Sequence, residues 1–164
     1  MCCASSSGRV EIGRFTQQAG DDERNGKLVA EARGMRNDRE LNRRLKMAEQ
    51  VVQGRIISVE PANIEERISE HAAHWYKAVI DIQSVIKGQS GAKTVIMFFP
   101  TSEDRVWRDA PHYGVGQEGV WLLHAKPMDY SRKAEMIPGL TALDPKDFHH
   151  ADQLPRIQQL MSNR

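Results

Sequence analysis

Cysteine is nearly absent from this chain: there are two in 164 residues, Cys2 and Cys3, side by side at one end. With no third thiol in the body, no disulfide can cross the core, and the pair is expected to stand as exposed thiols. Long hydrophobic runs are also missing. No stretch of eighteen apolar residues occurs, so no membrane-spanning helix is expected, and Met1 to Arg9 lacks the apolar segment of a secretory signal. The chain as it stands is predicted to be cytoplasmic; it would be secreted if the natural start differs. A charge of one sign is lacking too. Lys and Arg number 23 against 22 Asp and Glu, which gives no global field to select nucleic acid or an anionic membrane.

Familiar catalytic signatures are missing as well. There is no Gly-x-Ser-x-Gly elbow and no glycine-rich phosphate loop ending in Lys-Ser or Lys-Thr. The six histidines raise the question of a metal. His71 and His74 have helical ligand spacing, with His112, His149 and His150 as possible completions, but His74 falls at the start of a strand, where residues three apart face opposite ways. No catalytic residue, metal ligand or cofactor is assigned from the sequence.

What the chain does have is alternation. From Trp75 to Gly88, Tyr76, Ala78, Ile80 and Ile82 fall on one side of an extended backbone and Lys77, Asp81 and Gln83 mainly on the other, the pattern of a long half-buried strand. Val51 to Val59 reads as a strand before it, with Gly54 marking a bend or bulge. Lys93 to Phe99 reads as a strand after it, joined by a turn at Lys87–Gly91 and expected to form a hairpin. A fourth strand spans Gly119 to Ala125, and a fifth is expected around Met136 to Leu143. Asp38 to Gln50 reads as a short helix with Leu41, Leu45 and Ala48 on its apolar stripe. A second helix covers about Ala151 to Met161, with Pro155 tolerable only in its first turn.

The expected organisation is a flexible arm over residues 1–34, rich in Ser, Gly, Asp, Asn and Arg, followed by one domain over 35–164. That domain is predicted to be mainly β with flanking helices: a five-stranded, OB-like closed barrel packed by an N-terminal and a C-terminal helix. Three segments in this order carry a family likeness: Leu45 to Val59, the long strand ending Val85-Ile-Lys-Gly88, and Gly116 to Leu123. Together they resemble the OB-fold of the tissue inhibitors of metalloproteinases and netrin-like modules, including an uncharacterised bacterial branch, over about residues 41 to 124. The resemblance implies a binding module. Inhibition in that family depends on a mature N-terminal cysteine locked by disulfides, so it is not carried over to a chain in which Met1 precedes Cys2 and no downstream cysteine exists.

The predicted working surface is the long connection from Glu103 to Tyr113. Glu103, Asp104, Trp107, Arg108, His112 and Tyr113 are its candidate binding residues, because Trp, Tyr and Arg together are enriched at interface hot spots. The alternative for Trp107 is a plug in the barrel mouth. The expected role is a non-enzymatic interaction module with an unknown protein partner, with homo-oligomerisation possible. The runners-up are a small hydrolase built on loop carboxylates and histidines, and a binder of single-stranded nucleic acid. Nucleic acid is disfavoured because residues 51–126 carry eight Lys or Arg against nine Asp or Glu. The basic run Arg33, Arg36, Arg39, Arg43, Arg44, Lys46 reads as a solvated helix face.

Overall fold

A computed structural model describes residues 13–64, 73–89, 91–101, 109–125 and 137–163, with residues 13–25 described by backbone alone. The chain divides into two compact units, Met1–Glu40 and Leu41–Arg164. The first helix, α1, runs from Gly13 to Met47 and therefore begins far upstream of the predicted Asp38, within residues the sequence pattern assigned to an arm. Gly20, Gly26 and Gly34 diluted the periodic signal there, although Ala, Glu, Arg and Lys around them are good helix formers.

The second unit is built on one curled, six-stranded sheet. Its strands are β1 (Gln50–Pro61), β2 (His74–Lys87), β3 (Thr94–Thr101), β4 (Glu118–Leu123), β5 (Leu140–Thr141) and β6 (Phe148–His149), in the order β5-β3-β2-β1-β4-β6. The predicted β2–β3 hairpin is present, antiparallel from His74 opposite Thr101 to Asp81 opposite Thr94. The expected irregularity at Gly54 is there as well, as a shift of register between Gln53 and Gly54. β1 shifts register three times along β2, and such shifts bend and twist a strand, which lets the sheet curl.

The sheet is an open half-barrel, which corrects the predicted closed barrel of five strands. β6 pairs with Val120 and Trp121 along the free edge of β4, and only the next few residues remain for β5. Thr141 therefore meets the chain beyond β4 through a single bridge to His124, while β5 keeps its parallel pairing with Met97 and Phe98 of β3. The fifth strand is correspondingly short, two residues instead of the predicted stretch from Met136 to Leu143.

Burial explains why β4 had no alternation to read. Gly119 to Leu123 is buried throughout, because both faces are covered. On the concave face, Trp121 and Leu123 join Val52, Ile56, Ala78, Ile80, Met97 and Phe99 in the main core. On the opposite face, Val120 and Leu122 join Val51 beneath Leu41, Leu45 and Ile157. Ile157 belongs to the C-terminal helix α2 (Leu154–Ser162), which starts one residue before Pro155; a turn of 3-10 helix over Ala151–Gln153 leads into it. Proline is thus confined to the first turn, where its missing N–H costs nothing.

Gly54 has a second role. A Cβ at this position would run into the backbone carbonyl of Asp81 and lie 2.9 Å from Cγ2 of Ile80 on the adjacent strand. Gly54→Ala must push β1 from β2, an overpacking cost of about 1–3 kcal/mol. A fall in the urea midpoint at unchanged slope is the expected result.

Candidate functional site

The predicted loop is described only at its C-terminal end. Glu103, Asp104, Trp107 and Arg108 lie outside the described residues, as does His71. His112 and Tyr113 are neighbours but point to different places: His112 is exposed, whereas Tyr113 is buried in the main core, its ring edge-on to Phe99 at 5.2 Å. Tyr113 therefore supports the loop from beneath and offers no binding surface. Trp121 is core, as its apolar strand suggested, and Trp75 is buried with Ala73, Ala110 and Leu143 near the loop's end.

After Tyr113 the loop turns at Gly114–Gly116 and docks on β1. The N–H of Gly116 donates to the Ile56 carbonyl at 2.8 Å, and the N–H of Ile56 donates to the Gln117 carbonyl at 2.9 Å. Gly116 has φ of +88°, a left-handed conformation that favours glycine. This docking sets Val115 beside Ile57. Across the sheet, Ser58 is opposite Val79 in β2, and Val79 is opposite Ile96 in β3. Val115, Ile57 and Ile96 are 66%, 51% and 48% exposed, so an apolar row crosses the outer face of three strands and the loop. Glu60 and Lys77 flank it with an ion pair of 3.1 Å.

A second feature was not foreseen: a buried polar cluster beneath the end of α1. Arg44 donates from Nη1 to Oδ1 of Asp147 at 2.8 Å and from Nη2 to Oδ2 of Asp144 at 2.6 Å. His124 Nε2 lies 3.1 Å from the same Oδ1 of Asp147, and because a carboxylate oxygen accepts, Nε2 carries the proton. The other oxygen, Oδ2, accepts from the Asp144 N–H, while Asp144 Oδ1 accepts from the Lys146 N–H. These last two bonds form a capping box around the 3-10 turn Pro145–Asp147. Arg44, His124 and Asp147 are all buried.

Arg44 had been read as part of a solvated face. Its position three residues after Leu41 and one before Leu45, on the buried stripe, was the available signal, as was the Asp-Pro-x-Asp spelling of residues 144–147. Neither signal identifies the other partner, because the contacts span about a hundred residues. At the same end of α1, Lys87 at the end of β2 donates Nζ to the carbonyls of Leu45, Lys46 and Ala48. A cation placed there satisfies the last carbonyls of α1 and complements its dipole.

Chemically, the cluster is a clasp. Each Asp147 oxygen is already engaged by donors, and the guanidinium is spent on two carboxylates. Four buried polar atoms lack a hydrogen-bond partner among the described residues: the Tyr113 hydroxyl, Trp121 Nε1, His124 Nδ1 and His149 Nε2. Burial, followed by the charges of Asp147 and Asp144, pushes the Tyr113 phenol well above the ordinary tyrosine range. Burial holds the His149 imidazole below the ordinary histidine value, against opposing contributions from a backbone bond to Lys146 and the Asp147 charge. Among the described residues no group of three or more His, Cys, Asp and Glu is arranged to hold a metal ion, and no helix is long and apolar enough to cross a membrane.

Compared with known proteins, the chain matches no family model and no curated protein. The reading of the site therefore stands on its own geometry.

Removing one side of the clasp leaves a buried charge uncompensated. Arg44→Met is expected to cost about 3–5 kcal/mol, and Arg44→Met combined with Asp147→Asn less than the sum of the two single changes, measured by chemical denaturation.

The pH dependence follows from His149. Its folded state resists protonation, so above the ordinary value of about 6.5 the folded and unfolded chains bind equal numbers of protons there. As pH falls below that value, the unfolded chain gains a proton that the folded chain refuses, and stability declines. His149→Gln should flatten the slope of melting temperature against pH as the pH falls below about 6.5, relative to the wild type.

Proposed function

We propose that the chain is a non-enzymatic binding module with an OB-like half-barrel, and that it engages a protein partner through the outer face of β1, β2 and β3 together with the adjoining loop 101–117. The row Val115–Ile57–Val79–Ile96 carries this reading. Isolated surface hydrophobics are ordinary, but aligned ones on neighbouring strands form a contiguous patch, and such patches accompany interaction sites. The exposed His112 and the flanking Glu60–Lys77 pair supply a polar rim of the kind interfaces carry.

The order β5-β3-β2-β1-β4, with β3 and β5 parallel, supports the OB-like reading, since OB barrels are partly open and take ligands across strands 2 and 3 and their loops. Netrin-like kinship remains a proposal resting on the patterned segments between residues 41 and 124. The hydrolase reading depended on Glu103 and Asp104, which lie outside the described residues, and no specific observation favours it. The nucleic-acid reading fares no better, because the exposed row is aliphatic where single-stranded recognition uses aromatic platforms and basic grooves.

The test uses Ile57→Lys with Ile96→Lys in the full chain. Both positions are exposed, so the melting temperature should stay within a few degrees of the wild type. Proteins crosslinked to the wild type and identified by mass spectrometry should be lost from the variant. Equal capture by both chains would defeat the proposed surface.

A further inference from the structure

β6 holds the edge of β4 by two residues, Phe148 opposite Trp121 and His149 opposite Val120, whereas β1, β2 and β3 are paired along most of their lengths. Gly119 makes room for it, since a Cβ there would meet the His149 carbonyl oxygen and the Phe148 ring. The two side chains of β6 part to opposite faces. Phe148 packs on Trp121 in the main core, and His149, directly opposite Val120, shares the face covered by the helices.

On that face the ring is bound at one nitrogen. It bonds to the Lys146 backbone, while Nε2 is buried and has no partner among the described residues. The Lys146 bond favours the charged ring, so the imidazole is the donor in it; Nδ1 carries the proton and Nε2 is a bare acceptor. Burial is the largest influence against a second proton. The guanidiniums of Arg156 in α2 and Arg44 in α1 add to it, against the pull of Asp147 in the 3-10 turn, whose oxygens are already held by Arg44, His124 and the Asp144 N–H. From β4, the titratable side chains nearest Val120 in sequence are Glu118 and His124.

We propose that β6 is an acid-released latch: a proton on Nε2 of His149 frees Phe148–His149 from β4 while β1, β2 and β3 stay paired, and so bares the edge of β4 and the Trp121 ring. Once protonated, Nε2 is a buried donor with nothing to donate to, and it adds charge beside two guanidiniums; only water relieves both. Release undoes two residue pairings, and openings that undo little structure are the cheapest a fold has.

The experiment is hydrogen exchange of the full chain followed by mass spectrometry, corrected for the pH dependence of the intrinsic chemistry. Between about pH 7 and about pH 5 the opening of peptides covering Glu118–Leu123 and Phe148–His149 should rise, by up to about thirtyfold if an ordinary imidazole titrates in the open state. Peptides of β2 and β3 should be unchanged. His149→Gln should abolish the rise, which assigns it to this ring while His124 and His150 remain in place. Gly119→Ala should open the same peptides at neutral pH and leave β2 and β3 protected. A wild type that shows no rise, a rise that survives His149→Gln, or loss of protection across β2 and β3 together with β4 would overturn the inference.

Discussion

One guanidinium joins three parts of the second unit that are distant in sequence. Arg44 at the end of α1 reaches Asp144 and Asp147 in the turn before β6, and Asp147 also takes the imidazole of His124 just beyond β4. The His124 backbone, in turn, makes the bridge to Thr141 that holds β5 near β4, and the Thr141 hydroxyl donates to the same His124 carbonyl at 3.1 Å. The open sheet is therefore drawn inward at its margin by a polar knot rather than by a continuous ladder. Such buried ion pairs add little net stability compared with apolar packing of the same volume, but they tolerate no wrong partner. Here the contacts tie the end of α1 to the turn before β6 and that turn to the chain just beyond β4.

The main core and the helix-covered core divide the work on either side of β1 and β4. Val52 and Trp121 face the concave interior, while their neighbours Val51, Val120 and Leu122 face the helices. Central strands buried on both sides leave the outward apolar residues of β2 and β3 as the exposed ones. Ile96 is exposed and its partner Val79 half-buried, and Ile57 joins them where the shift in register between Ile56 and Ser58 displaces β1. The same irregularity that curves the sheet thus contributes to the patch on its outer face.

Strand identity was legible wherever one face was wet. β2 and β3 alternate, and their boundaries and pairing came directly from that period. β4 was visible only as an apolar run, since a strand covered on both faces has no alternation. Closure was misread because it depends on which strand takes the free edge of β4. Phe148-His149 is too short to show a period, and its claim on that edge is settled by Phe148 packing at 5.1 Å from Trp121, a contact across the sheet that no local pattern records. The clasp escaped for the same reason: Arg44 belonged to a run of similar arginines, and only tertiary partners distinguish it. Of the loop residues proposed for binding, Tyr113 shows how composition misleads. An aromatic in a polar loop can be a hot spot or an anchor, and its neighbour His112 has the outward position instead.

Placing the anchor under the loop has a consequence for how the surface is held. Tyr113 packs against Phe99 and lies 6.3 Å from Phe148, so the loop's last turn is tied to β3 and to β6 at once. Gly116 and Gln117 then extend β1's pairing by two further backbone bonds, which fixes Val115 beside Ile57 without any contact between side chains being needed. Residues positioned by backbone pairing and by a buried ring lose little freedom when something docks on them, and preorganisation of this kind is where binding surfaces save entropy. The aliphatic row is thus carried by backbone pairing and by the core beneath it.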